Sequence, residues 1–492
     1  MDYSSTNAAE MSAALASGEV SARELAQASV DQIKALNPEL NCIITTTEEQ
    51  AFSQADAADA RRAAGTPASA LDGVPLVHKD LFCTEGVLTS CGSKMLANFV
   101  SPYDATVVTR CREAGLVMVG KANMDEFAMG SSNEHSYFGP ARNPWDLDRV
   151  PGGSSGGSAV AVASGMAPLA TGTDTGGSIR QPAAFCGLTG VKPTYGRVSR
   201  HGMVAFASSL DQGGAFARDA ADAAGLLSVM AGHDVRDSTS ANRPTDDLKA
   251  SLNESVAGLR VGIARQHFND GLDGEVADGV RGCADKLADL GAKIVEVDLT
   301  KADIIVAAYY VIALAEASSN LSRYDGVRFG YRSPNAESLE ELYERSRSEA
   351  FGNEVKRRIM LGTYALSAGY YDAYYRKAQQ LRRLVRDDYA RVFESIDLLL
   401  SPATPTQAFR LGENLADPVE MYLADVYTCG INLAGLPAVA FPVGHANGLP
   451  LGAQFIAPPF QEHAALSAVH TYQNVTDWHN AQPDLAPGMP GA

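Results

Sequence analysis

Lys79, Ser154 and Ser178 sit in the contexts Gly73-Val74-Pro75-Leu76-Val77-His78-Lys79-Asp80, Pro151-Gly152-Gly153-Ser154-Ser155-Gly156-Gly157-Ser158 and Gly172-Thr173-Asp174-Thr175-Gly176-Gly177-Ser178-Ile179-Arg180. Together they read as a nucleophilic hydrolase site in which lysine takes the place that histidine has in a serine protease. A serine hydroxyl is a poor nucleophile at neutral pH and needs a base within hydrogen-bond reach. Lysine serves as that base only when neutral, which means lowering a reference pKa of about 10.4. Burial does so, because desolvation disfavours the ammonium form. Val74, Leu76, Val77, Leu81 and Phe82 make an apolar, strand-like run around Lys79. The two glycine-rich segments supply backbone that can bring main-chain N–H groups close to a reacting oxygen.

Two blander explanations compete. A Gly/Ser run is often a linker, but this one leads directly into Ala159-Val160-Ala161-Val162-Ala163, an apolar core-forming segment. A phosphate-binding loop needs a glycine-rich turn followed by Gly-Lys-Ser/Thr. Gly120-Lys121 is followed by Ala122, Gly190-Val191-Lys192 has the wrong spacing, and no Gly-x-Gly-x-x-Gly opens a helix after a strand. The phosphate reading fails on those grounds.

Gly152 to Gly165, with Thr173 to Gly187, resembles the signature of the amidase signature family, and the three segments occur in the family's order and spacing. The resemblance implies Ser178 as the acyl-forming nucleophile, Lys79 as the ultimate base and Ser154 as the relay between them, with a cis peptide bond before Ser154. It also implies an oxyanion hole made by the backbone N–H groups of Thr175, Gly176, Gly177 and Ser178. Ser155 and Ser158 are expected to shape the loop and the helix start. Asp174 and Arg180 are either ion partners that hold the loop or groups that touch the chemistry.

Three further segments resemble one branch of that family, the glutaminase (A) subunits of tRNA-dependent amidotransferases. They are Lys121 to Glu134, Tyr309 through Asn320-Leu321 to Arg328, and Arg357 to Thr363 with Tyr370 to Tyr375. By that resemblance Tyr309, Arg358 and Asp425 recognise the α-carboxylate and α-amine of glutamine. Arg offers a bidentate fork to a carboxylate, and Asp accepts from an ammonium. Arg358 as a surface helix charge and Tyr309 as core packing are the alternatives. The implied function is release of ammonia from glutamine for transamidation of Glu-tRNA(Gln) or Asp-tRNA(Asn), in a heterotrimer with B and C subunits. No cofactor or metal is implied for this chain; ATP and Mg2+ are expected in the B subunit, which is also expected to make the main tRNA contacts. A stand-alone amidase acting on aryl, acyl or amino-acid amides is the other reading. His78 departs from the small or aliphatic residue frequent before the lysine, and alternation along a strand sends it to the opposite face from Lys79.

The elements that must position these groups alternate along the chain. The first 60 residues read as a helical layer, with a capping box at Ser21 to Glu24 and a stop at Asn37-Pro38. Strands are predicted at 73–77, 116–119, 169–173, 260–264, 294–297 and 397–401, helices at 106–114 and 276–290, and a mainly helical stretch from Asp303 to Glu394. This predicts an α/β fold with a mixed, largely parallel central sheet covered by helices on both faces, as a single domain over 1–492 with a disordered tail at about 482–492. Ordinary apolar and charged contents of 46% and 20% allow a sizeable core. A net charge of −18 argues against direct nucleic-acid binding. Seven scattered cysteines without metal spacing suggest reduced thiols in a cytoplasmic protein. No signal peptide is expected, and the longest apolar run, 304–315, is shorter than the roughly 20 residues of a membrane span.

Overall fold

The computed structural model describes residues 3–485 apart from 246–247, 250–251, 253–254 and 416–417. The tail expected to be disordered lies outside the described residues beyond Leu485. Among the described residues, eleven strands form one sheet: β1 (Ile43–Thr46), β2 (Pro75–Lys79), β3 (Val117–Ala122), β4 (Leu169–Thr173), β5 (Thr189–Lys192), β6 (Gly213–Ala217), β7 (Arg260–Ala264), β8 (Lys293–Val297), β9 (Leu398–Pro402), β10 (Ala438–Ala446) and β11 (Leu449–Ile456). Their order is β1-β3-β2-β4-β6-β5-β10-β11-β9-β7-β8. The fold is α/β with a mixed sheet, and its parallel pairs fall in two blocks. One is β3-β2-β4 and the other β9-β7-β8. Between them β4-β6-β5-β10-β11-β9 run antiparallel to their neighbours.

β2 and β4 are parallel neighbours, so their carboxyl ends lie side by side, where Lys79 closes β2 and Thr173 closes β4. Open α/β sheets place ligands outside the carboxyl ends of their strands. Both strands are buried along their whole length, so the polar His78, Lys79, Thr171 and Thr173 that they carry are buried as well. The helix Gly156–Ala163 packs on β4 and β2, and the helix Arg180–Cys186 packs on β11, β10 and β5.

The N-terminal layer holds the helices Ala8–Ser17, Ala22–Leu40 and Glu48–Ala63, with β1 inserted as an edge strand that the sequence did not reveal. The capping box forms as expected, Ser21 Oγ accepting from Glu24 N at 3.1 Å and Glu24 Oε2 from Ser21 N at 2.8 Å. Pro38 does not stop that helix. A proline in the last turn forfeits only its own missing N–H bond, and the helix continues to the buried Leu40 before Asn41 turns left-handed at φ 48°. Asn37 instead folds the exit, its Oδ1 accepting from the N–H groups of Cys42 and Ile43 at 2.8 Å each.

The apolar run read as too short for a membrane span belongs to a continuous helical stretch of 22 residues, Ala302–Arg323, long and apolar enough to cross one. In the most apolar window 61% of the residues are buried inside the fold, so it serves as a core helix. All seven cysteines are free and buried.

Candidate active site

Lys79 is fully buried, and its Nζ lies 2.8 Å from Ser154 Oγ, 2.8 Å from Ser155 Oγ and 2.9 Å from Thr173 Oγ1. Burial lowers its pKa to about 7, against the upward pull of Asp125, Asp174 and Asp211. A neutral amine has two N–H donors and one lone pair, so one of the three hydroxyls must donate to it. Ser155 donates its proton to Thr173 O at 3.1 Å, which leaves Ser154 or Thr173 for that role. Two other lysines are fully buried, and neither shares this arrangement. Lys121 reaches the Phe82 carbonyl at 2.9 Å, Thr89 Oγ1 at 3.1 Å and the Asp80 carboxylate at 3.3 Å. Lys192 has its pKa lowered to about 7 by burial and the neighbouring Arg180, but it donates to the carbonyls of Pro193 and Leu436. Carbonyls cannot return a proton, whereas hydroxyls can; only Lys79 is surrounded by hydroxyls alone.

Ser154 follows a cis Gly153–Ser154 peptide bond. The segment Lys121 to Glu134, which the sequence marked by resemblance only, supports this turn. A Cβ on Gly153 would collide with Asp125 Oδ2, so glycine is required where the carboxylate closes in. Asp125 in turn accepts from the N–H groups of Asn133 and His135 at 2.9 and 3.1 Å. Gly153 N donates to Gln181 Oε1 at 2.9 Å, and Gly157 N donates to Asn133 Oδ1 at 3.2 Å. Ser158 shapes the helix start, donating to Thr171 O at 2.9 Å. Ser155, expected to be equally structural, touches Lys79 directly.

Ser178 lies in the loop between β4 and the helix Arg180–Cys186 and is 7% exposed. Among the described residues its hydroxyl makes no hydrogen bond, so its contact with Ser154 is not closed in this state. The backbone N–H groups of Thr175, Gly176, Gly177 and Ser178 likewise donate to no other described residue. Four successive unused donors beside a free hydroxyl make a nest for an oxygen anion. The loop is clamped at its ends. Arg180 Nε and Nη2 each meet Asp174 at 2.9 Å, and Arg180 also donates to Asn432 Oδ1 at 2.6 Å, Gln454 Oε1 at 3.0 Å and Thr428 O at 3.1 Å. Burial pushes the Asp174 carboxyl up, but Arg180, Lys192 and Asn432 outweigh it and hold the pKa near 2. Both side chains are consumed by the clamp, which makes them loop-holding ion partners. Removing one member of a buried pair costs about 3–5 kcal/mol. Asp174→Ala is accordingly expected to lower unfolding free energy by about that amount in a urea titration.

Tyr309 and Asp425 border this loop, and Arg358 lies near enough to both to act on them electrostatically. The Tyr309 hydroxyl lies against Gly176, so closely that a Cβ there would collide with it. Asp425 Oδ1 lies 3.1 Å from where a Gly177 Cβ would be. Asp425 Oδ2 accepts from Ser131 Oγ at 2.7 Å and from the Tyr310 hydroxyl at 3.4 Å. Burial raises its pKa to about 7, moderated by Ser131 and Arg358. Arg358 is 3% exposed, not a solvated surface charge. Its Nε donates to Glu354 Oε1 at 2.7 Å, and its guanidinium is ringed by Phe206, Tyr310 and Tyr422 at 5.6, 5.8 and 5.4 Å. Sequence reasoning missed Thr173, Asp125, Ser131, Glu354 and the aromatic ring; Ser155, adjacent to Ser154, was the one contact its position could have signalled.

His78 faces away from the Lys79 amine. Its Nδ1 lies 3.1 Å from Thr171 Oγ1, which also accepts from Lys79 N at 3.2 Å. Burial, with Lys121 nearby, lowers its pKa to about 3 and keeps it neutral. Its link to Lys79 runs through the backbone.

The amidase family model matches residues 24–466. The A subunit of the glutamyl-tRNA(Gln) amidotransferase of Alkalilimnicola ehrlichii is 61% identical over 96% of this chain and 98% of its own length. The corresponding Coxiella burnetii protein is 58% identical over 97% and 99%. Among solved structures, the A subunit of the Thermotoga maritima glutamyl-tRNA(Gln) amidotransferase superposes with a TM-score of 0.79 at 41% identity, covering 95% of this chain and 94% of that one. The peptide amidase of Stenotrophomonas maltophilia gives 0.81 at 31% identity over 96% and 98%. Matching signature segments, a lysine among hydroxyls beside a free serine, and these relatives lead to one conclusion: the chain is a member of the amidase signature family.

Proposed function

We propose that this chain is the glutamine-hydrolysing subunit of a tRNA-dependent amidotransferase, releasing ammonia for transamidation of Glu-tRNA(Gln), Asp-tRNA(Asn) or both. The observation that carries the reading is a pair of buried opposite charges: Asp425, beside Gly177 of the Ser178 loop, and Arg358, near enough to pull the Asp425 pKa down. A free α-amino acid presents a carboxylate and an ammonium; a simple acyl or aryl amide presents neither. An arriving ammonium also favours ionised Asp425, which burial alone disfavours. Identity of 58–61% to amidotransferase A subunits supports the same reading, whereas superposition does not discriminate, since the peptide amidase overlays equally well.

In this reading Ser178 Oγ attacks the side-chain carbonyl of glutamine while its proton passes through Ser154 to Lys79 Nζ. The developing oxyanion takes the free N–H groups of residues 175–178. Lys79 then returns the proton through Ser154 to the departing nitrogen, and water hydrolyses the glutamyl ester by the same relay. The Ser154–Ser178 hydrogen bond, open here, closes when substrate is bound, as catalytic hydrogen bonds often tighten in the complex. Ammonia is consumed on a B subunit that holds ATP, Mg2+ and most of the tRNA contact, with a C subunit completing a cytoplasmic heterotrimer.

Arg358→Ala tests the substrate class. A hydrogen bond to a charged group contributes about 1.5–3 kcal/mol, so kcat/KM for glutamine should fall roughly ten- to a hundred-fold. Activity toward an uncharged amide should change little. Equal losses on both would favour the stand-alone amidase.

A further inference from the structure

Glu354 stands one turn before Arg358 on the helix Asn353–Leu366 and is 6% exposed at its side chain. Its Oε1 accepts from Arg358 Nε at 2.7 Å and from the Tyr422 hydroxyl at 3.3 Å, and its Oε2 accepts from Arg357 Nη1 at 2.5 Å. The Tyr422 ring stacks on Tyr310 with centroids 3.9 Å apart. Tyr310 donates to Asp425 Oδ2, the oxygen that Ser131 also holds. A continuous chain of contacts, Arg358–Glu354–Tyr422–Tyr310–Asp425–Ser131, therefore ties the buried cation to the buried carboxylate.

The geometry of the guanidinium gives this chain its consequence. Arginine has five N–H donors in a planar fork. Glu354 takes the Nε donor, and among the described residues the two terminal amines have no hydrogen bond. Three aromatic rings close around the group. The fork is left with its end edge available, which is the edge that meets a carboxylate through two parallel hydrogen bonds. Without Glu354 the guanidinium could rotate about its own stem and lose that alignment, and its separation from Asp425 would no longer be fixed.

We infer that Glu354 and Tyr422 are positioning residues that set amino-acid specificity, holding Arg358 at a fixed spacing from Asp425 so that the site selects a free α-carboxylate beside a free α-ammonium. This rests on the glutaminase reading. It predicts selection against the decarboxylated analogue of glutamine and against amides joined into a peptide. The pair also differs from an ordinary surface i,i+4 salt bridge, because both partners are buried.

The test uses the chain assembled with its partner subunits. Variants Glu354→Gln, Glu354→Ala and Tyr422→Phe are compared with the wild type for kcat and KM on L-glutamine. Each is also measured for the inhibition constant of 4-aminobutanamide, which is glutamine without its carboxylate. Glu354 borders a cavity of about 510 Å³, leaving room for the amide of Glu354→Gln. The expected result for Glu354→Gln is a KM for glutamine raised about ten-fold or more, with kcat within about three-fold and the 4-aminobutanamide constant unchanged. Tyr422→Phe should shift KM in the same direction by less. If Glu354→Ala unfolds, the other two variants carry the test. An unchanged KM in Glu354→Gln, or equal weakening of both ligands, would overturn the positioning role. A wild type inactive on L-glutamine would overturn the glutaminase reading instead.

Discussion

Ser178→Ala is expected to abolish glutamine hydrolysis while leaving the folded chain intact. Removing the nucleophile from a site of this kind typically costs about 10⁴–10⁶-fold in kcat. The stability effect should be small, because the Ser178 hydroxyl has no hydrogen bond among the described residues and its loop is held by Asp174, Arg180 and Asn432. Melting temperature and assembly with partner subunits should therefore match the wild type. In the assembled enzyme, added ammonia should still support tRNA amidation, since the acceptor chemistry does not pass through this residue. Near-normal glutamine hydrolysis by Ser178→Ala would show that another group forms the acyl intermediate.

Lys79→Ala and Lys79→Arg should both lose at least about 10³-fold in kcat/KM, at the upper end of what a positioned base contributes. The arginine variant is the sharper test. Arginine keeps the positive charge and the donors but stays protonated in proteins, so it cannot accept from Ser154. The wild-type pH profile follows from the lowered pKa of about 7, caused first by burial. Below that value Lys79 holds its proton and cannot act as a base. Activity should thus rise about ten-fold per pH unit up to about 7 and level off above it. A profile falling between pH 6 and 8, or an active Lys79→Arg enzyme, would exclude a neutral lysine base.

How much of this was legible depends on how locally each feature is encoded. The strands at Leu169–Thr173 and Arg260–Ala264 match their sequence-based bounds because apolar runs and flanking turn residues mark them. Lys79, Ser154 and Ser178 could be singled out because glycine runs and a buried strand surround them. The antiparallel centre could not. Gly213–Ala217 is glycine- and alanine-rich and buried throughout, so it carries neither alternation nor β-branched residues to announce a strand. β10 and β11 went unread as well, and their pairing joins them to β5 and β9, far apart in the chain. Thr173 as a partner of Lys79 was hidden for the same reason, since it reaches the lysine only through the β2–β4 pairing. Glu354 was not singled out, because nothing within one turn reveals that Phe206 and Tyr422 bury its partner Arg358.

The core helix within Ala302–Arg323 has a consequence during synthesis. Its covering comes mostly from segments that leave the ribosome after it: the helices Asn353–Leu366, Lys377–Val392 and Cys429–Ala434 pack against it. At about 5–20 residues per second, the nascent chain displays a bilayer-length apolar stretch for several seconds before those partners exist. The half-made chain thus needs shelter from aggregation during that interval.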